Sequence, residues 1–140
     1  MQGRIRGATM LMLAAFAMHA TPARSAALSA AAQSHVTQVS EALRALQSDR
    51  SHAAQSRANR AIEVLLKDRS PAADEAMAAL AGHYLGEAAE VECEIAARGE
   101  RMVPLLERFD RAPPPLPLAA STVHSRAELI QWIHAGVRCD

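Results

Sequence analysis

The chain has 140 residues, and its 15 lysines and arginines balance its 15 aspartates and glutamates. Without a basic excess, the chain is a poor candidate for nucleic-acid binding. Half of the residues are hydrophobic, yet only 3% are aromatic. Alanine, leucine, glutamate and arginine dominate, and β-branched residues never form an alternating run. This composition predicts an all-α fold.

The first 25 residues have the three parts of a secretory signal peptide. Arg4 and Arg6 form a positive start, an apolar run covers residues 8–20, and small residues follow at positions that suit cleavage. The apolar run is shorter than the ~20 residues that a membrane-spanning helix needs. We therefore expect residues 1–25 to be removed and residues 26–140 to form a single helical domain. That domain is expected in the periplasm or outside the cell, without a membrane anchor.

The two cysteines, Cys93 and Cys139, both lie in the predicted mature chain. In an oxidising compartment, two cysteines favour a disulfide, and only one intramolecular pairing is open to them. A bridge closing a loop of about 47 residues would stabilise the fold by roughly 4 kcal/mol in the chain-entropy model. No Cys-x-x-Cys motif is present, which argues against thioredoxin-like redox chemistry.

The first half of the mature sequence predicts three helices. An apolar stripe runs through residues 28–46, and Ser51 is placed to cap a second helix. Ser70 followed by Pro71 marks the start of a third helix, because serine caps a helix and proline is tolerated at its first position. This third helix is expected to run to Gly86.

Two further helices are predicted before the proline-rich segment. Glu87 and Glu90 suit the first turn of one helix, and Gly99 suits its end. Another helix is predicted over residues 100–110. A different reading stays open, because apolar positions keep helical phase through Gly86 and Gly99, so that one continuous helix is also compatible with the pattern.

A proline-rich connector at residues 112–118 precedes the last predicted helix. Its four prolines favour an extended polyproline II segment. Ser125 and Glu128 then form the pattern of a capping box, and Gly136 is placed just beyond the end of the helix. The predicted architecture is five or six short antiparallel helices with one disulfide, packed as a bundle or as a fragment of a right-handed α-solenoid.

The stretch from residue 99 to residue 109 reads Gly-Glu-Arg-Met-Val-Pro-Leu-Leu-Glu-Arg-Phe. It resembles the Gly-x-x-x-x-Pro-x-Leu helix opening of HEAT and armadillo repeats. The stretch before it also resembles these repeats in having short, alanine-rich helices, so the resemblance covers roughly residues 53–109. It implies a helical repeat fragment that displays a surface to other proteins and has no fixed catalytic residues.

One set of side chains has a spacing that suits metal binding. His83, Glu87, Glu90 and Glu94 fall on one face of a continuous helix, and imidazole with carboxylates can bind a divalent metal. A structural interpretation explains the same residues better. Acids are favoured in the first turn of a helix, and Glu94 can pair with Arg98 four positions later. No cofactor is therefore predicted.

The sequence contains no Gly-x-Ser-x-Gly elbow and no glycine-rich phosphate loop, and no two acids stand out as a catalytic pair. Trp132 and Tyr84 are candidate binding anchors, although core packing is the favoured role for both. The sequence thus predicts an exported, non-catalytic protein that binds an unidentified protein partner through a helical face. An immunity or inhibitor role is one form of this function. The alternative is a metal-binding periplasmic protein that uses the His/Glu face.

Overall fold

The computed structural model describes residues 27–82, 88–111 and 124–140. The α-helices in these ranges are α1 (Ala30–Ser48), α2 (His52–Lys67), α3 (Pro71–Leu80), α4 (Ala88–Arg98), α5 (Val103–Phe109) and α6 (Arg126–Ala135), with a 3₁₀ turn at Gly99–Met102. The described ranges contain no β-strand, so the predicted all-α class is confirmed. The predicted signal peptide at residues 1–25 and the connector at residues 112–118 lie outside the described residues.

Serine side chains begin four of the helices. Ser29, Ser51, Ser70 and Ser125 each accept a hydrogen bond from the backbone N–H three residues later. Each bond satisfies one of the amide groups that the first turn of a helix leaves without a partner. Glu128 also accepts from the backbone N–H of Ser125 at 2.6 Å, so the predicted capping box is confirmed. These caps explain why the predicted starts of α2, α3 and α6 agree with the structure.

Glycines in the left-handed region mark three changes of direction. Helix α3 ends at Leu80, earlier than predicted, and Gly82 follows with φ +82°. Gly99 has φ +71°, which turns the chain out of α4, so a helix continuous through this position is wrong. Gly136 has φ +67° and ends α6. A side chain is strained in this region of backbone space, which explains glycine at these positions. Gly86 lies outside the described residues.

The apolar faces of the six helices meet in one core. Helix α1 packs on α2 and α3, α5 lies against both α3 and α6, and α6 also contacts α4. The largest fully buried side chains come from α1 to α6 and the 3₁₀ turn: Val39, Ile62, Leu65, Met77, Leu80, Val91, Ile95, Met102, Leu106 and Leu129. None of the described helices combines the length and the hydrophobicity that a membrane span requires.

Candidate functional site

The predicted disulfide between Cys93 and Cys139 is present, with 5.6 Å between the two Cα atoms. It links the segment after α6 to the middle of α4, as the sequence predicts. A groove of about 820 Å³ lies beside it, lined by α4, the 3₁₀ turn and residues 136–139. The disulfide therefore holds one wall of this groove in place.

Of the four residues predicted to share one helix face, Glu94 forms ion pairs in the structure. Glu94 accepts a hydrogen bond from Nε of Arg98 at 2.9 Å and another from Nη1 of Arg69. Glu90 is exposed, while His83 and Glu87 lie outside the described residues. Among the described residues, no group of three histidine, cysteine or acidic side chains is arranged to hold a metal ion.

The Arg98 guanidinium, of which 1% is exposed, joins three helices. It pairs with Asp74 in the first turn of α3 at 2.5 Å and donates to the backbone oxygens of Leu66 and Asp68 at 3.1 and 2.8 Å. Those oxygens lie at the C-terminal end of α2, where carbonyls lack partners within the helix. Arg98 therefore closes α2 while it fixes the positions of α3 and α4.

A second buried guanidinium, that of Arg126, closes two other helices. It donates to the carbonyl oxygens of Ala78 and Ala79 near the end of α3, at 3.0 and 2.8 Å, and to Phe109 at the end of α5, at 2.5 Å. Burial lowers the pKa of Arg126, and the charge of Asp110 partly opposes this effect. A cation is favourable at these carbonyl ends of helices.

Glu92 fixes the entry to α6 from the side of α4. Its two carboxylate oxygens lie 2.8 Å from the backbone N and from Nδ1 of His124. The imidazole ring of His124 in turn packs on Trp132, with 4.2 Å between the ring centroids. Trp132 is half-buried and packs against the core, while Tyr84 lies outside the described residues.

These roles of Arg126 and Glu92 are absent from the sequence predictions. One local signal was available for Arg126, because a cation in the first turn of a helix opposes the helix dipole and needs another reason to be there. Nothing local singled out Glu92, whose partner is 32 residues away.

The described residues show no catalytic arrangement around these buried groups. The buried charged side chains Asp74, Glu92, Arg98 and Arg126 all have structural partners. Ser40 carries the only described buried side-chain N or O atom that has no hydrogen-bond partner. A hydroxyl without a bonded base is not activated as a nucleophile.

A second groove lies between α1 and α2, and we call it the outer groove. It has a volume of about 450 Å³ and is lined by Gln38, Glu41, Ala42, Ala45, Arg57, Arg60, Ala61 and Val64. Val64 is 49% exposed and is the one large hydrophobic side chain exposed in the described part of the chain. The outer groove thus combines an apolar floor with charged edges.

The arginines of the described residues differ in how their charges are used. Arg98 and Arg126, inside the molecule, are fully engaged, and Arg69, Arg101 and Arg108 form ion pairs. By contrast, Arg57 and Arg60 are exposed and form no ion pair with any described residue, and the same holds for Arg44, Arg50, Arg111 and Arg138. Arg60 lies near Glu63 and helps to lower the pKa of that carboxyl, but the hydrogen bond to Glu63 comes from Lys67.

Comparisons with family models, with curated proteins and with solved structures find no match for this chain.

Proposed function

We propose that this protein is exported and acts without catalysis, by binding another protein through the outer groove of α1 and α2. The observation that carries the proposal is the chemistry of the outer groove, compared with that of the buried charged groups. Around α3 to α6, the buried charges are satisfied by helix ends and by one another. On the outer groove, an exposed valine lies beside two arginines that have no ion-pair partner within the described residues.

The way in which the helices are held together suits this function. Two guanidinium groups, two serine caps and one disulfide fix helices α3 to α6, and α1 packs on both α2 and α3. A rigid face loses little conformational entropy when a partner binds. The HEAT and armadillo resemblance, which would give the same mode of action, remains part of the proposal.

Export is proposed on two grounds, the signal-peptide pattern of residues 1–25 and the disulfide. Disulfides persist mainly in oxidising compartments such as the periplasm or the extracellular space. An immunity or inhibitor role belongs to the same proposal, because it requires only that the bound partner be an enzyme or toxin.

The test is affinity capture from a periplasmic extract of the native host, with the purified protein as bait. A Val64→Asp bait places a charge in the outer groove at an exposed position, and a Val137→Asp bait serves as the control in the disulfide groove. We expect the wild type and the control to retain one dominant partner that Val64→Asp loses. Equal capture by all three baits, or capture of nothing, would contradict the proposal.

A further inference from the structure

We propose that the outer groove accepts an acidic amphipathic helix, whose apolar ridge packs beside Val64 and whose carboxylates pair with Arg57 and Arg60. This inference rests on the proposed function and adds the chemistry of the partner to it.

The charged groups of the outer groove have a cationic excess. Arg57 and Arg60 lie on α2, and a single carboxylate, Glu41, lines the groove from α1. All three side chains are exposed. Because neither arginine has an ion-pair partner within the described residues, both are available to a carboxylate from outside. Guanidinium groups bind carboxylates in a forked geometry that favours this pairing.

The groove has the length of a short helical segment. Its lining runs from Gln38 to Ala45 on α1 and from Arg57 to Val64 on α2, seven residue steps on each helix. At about 1.5 Å per residue this is roughly 10 Å, or about two turns of a partner helix. Two turns present apolar side chains at positions i, i+3, i+4 and i+7, which is the usual pattern for a helix that binds in a groove.

A second copy of this chain is a poorer occupant on grounds of charge. In a two-fold symmetric contact the same surface meets itself. Each copy would bring Arg57 and Arg60 against one Glu41, so that one positive charge per copy would lack a partner. Like charges brought together in an interface oppose association. A partner of opposite charge avoids this repulsion.

The experiment uses a fluorescent helical peptide of about 15 residues, long enough to form a helix, with leucines along one face and glutamates beside them. A matched peptide carries lysine in place of every glutamate. Binding to the purified protein is measured by fluorescence anisotropy, at about 50 mM and about 500 mM salt. We expect the acidic peptide to bind, the lysine peptide to bind at least about tenfold more weakly, and salt to weaken the acidic complex.

Charge reversal identifies the groups responsible. The double variant Arg57→Glu with Arg60→Glu is expected to weaken the acidic peptide about tenfold and to strengthen binding of the lysine peptide. Arg138→Glu, an exposed reversal beside the disulfide, is the matched control and should change neither. The variants are first checked for wild-type helicity by circular dichroism. If the double variant loses helicity, Val64→Asp replaces it, with the expectation that it weakens binding of the acidic peptide.

Several results would overturn the inference. Equal binding of the two peptides would show that charge does not select the partner. A wild-type protein that sediments as a dimer, and as a monomer after Val64→Asp, would show that a second copy covers the groove. A partner captured through Val64 that the acidic peptide fails to displace would refute the inference while the proposed function stands. Capture that is indifferent to Val64 would refute the proposed function itself.

Discussion

Replacing Arg126 by methionine tests how the helices are held together. Methionine keeps an unbranched apolar stem but removes the guanidinium that donates to Ala78, Ala79 and Phe109. The residue is 7% exposed, so the three carbonyl oxygens lose a buried donor. The cap of α6 does not depend on this side chain, because Ser125 and Glu128 form it.

The expected loss follows from the carbonyls and from the cost of burying the charge. Each buried carbonyl left without a donor costs about 1–3 kcal/mol, which gives roughly 3 kcal/mol for three at the lower end of that range. The desolvation that lowers the pKa of Arg126 is a cost of the wild type that the variant no longer has, and it keeps the expected loss near this lower end. We expect the free energy of unfolding to fall by about 3 kcal/mol, a large part of the 5–15 kcal/mol typical of a domain.

The assay is urea unfolding, followed by far-ultraviolet circular dichroism and by the fluorescence of the single tryptophan, Trp132. Arg101→Met is the control, because that arginine is 52% exposed and shares Asp74 with Arg98, so it should cost less than about 1 kcal/mol. Arg126→Lys should fall between the two, since one ammonium group cannot reproduce the geometry of the guanidinium. A loss for Arg126→Met no larger than that for Arg101→Met would refute the reasoning.

Two further predictions concern the disulfide and acid. Replacing Cys93 and Cys139 by serine should lower the free energy of unfolding by roughly 4 kcal/mol in the chain-entropy model, and an unchanged urea midpoint would contradict this. Backbone hydrogen bonds from Ser70 and Ser125 lower the pKa of Asp68 and of Glu128 below their ordinary values of 3.8 and 4.5. Below about pH 4.5 the unfolded state therefore binds more protons, so stability should decline as the pH falls towards 3. The double variant Asp68→Asn, Glu128→Gln should lose less stability over the same pH range. If its free energy of unfolding falls as steeply as that of the wild type, these two carboxyl groups do not cause the decline.

Local chemistry explains which predictions the structure confirms. Three helix starts could be predicted from serines, at Ser51, Ser70 and Ser125. In each case the serine oxygen accepts from a backbone amide only three residues later, so the whole interaction lies within a short stretch of sequence. Gly99 and Gly136 lie at helix ends for an equally local reason, a backbone conformation that favours glycine. The disulfide could be predicted because two cysteines allow only one internal pair.

The early end of α3 shows where local patterns were insufficient. The apolar positions beyond Leu80 predicted further helix up to Gly86, whereas the chain turns at Gly82. Both glycines are compatible with a helix end in sequence. At the observed end of α3, the carbonyls of Ala78 and Ala79 bind a guanidinium from another helix, and a contact this distant in sequence is not visible in a local pattern.

The candidate site depends still more on tertiary packing. Arg57 and Arg98 are the same residue type on helices of similar composition, and neither pattern nor propensity separates an exposed arginine from a buried one. The difference arises from neighbours distant in sequence. Arg98 meets Asp74, 24 residues away, and the carbonyl of Leu66, 32 residues away, whereas Arg57 faces outward beside α1.

The amino-acid sequence alone determined the helical class, five of the helix boundaries and the cysteine pair, because each depends on composition, on interactions within about four residues or on simple counting. Only the tertiary structure decided which charged side chains are buried and paired inside the molecule and which are exposed, those of the outer groove among them. Burial and long-range hydrogen bonds set that division, and they exist only once the helices have packed together.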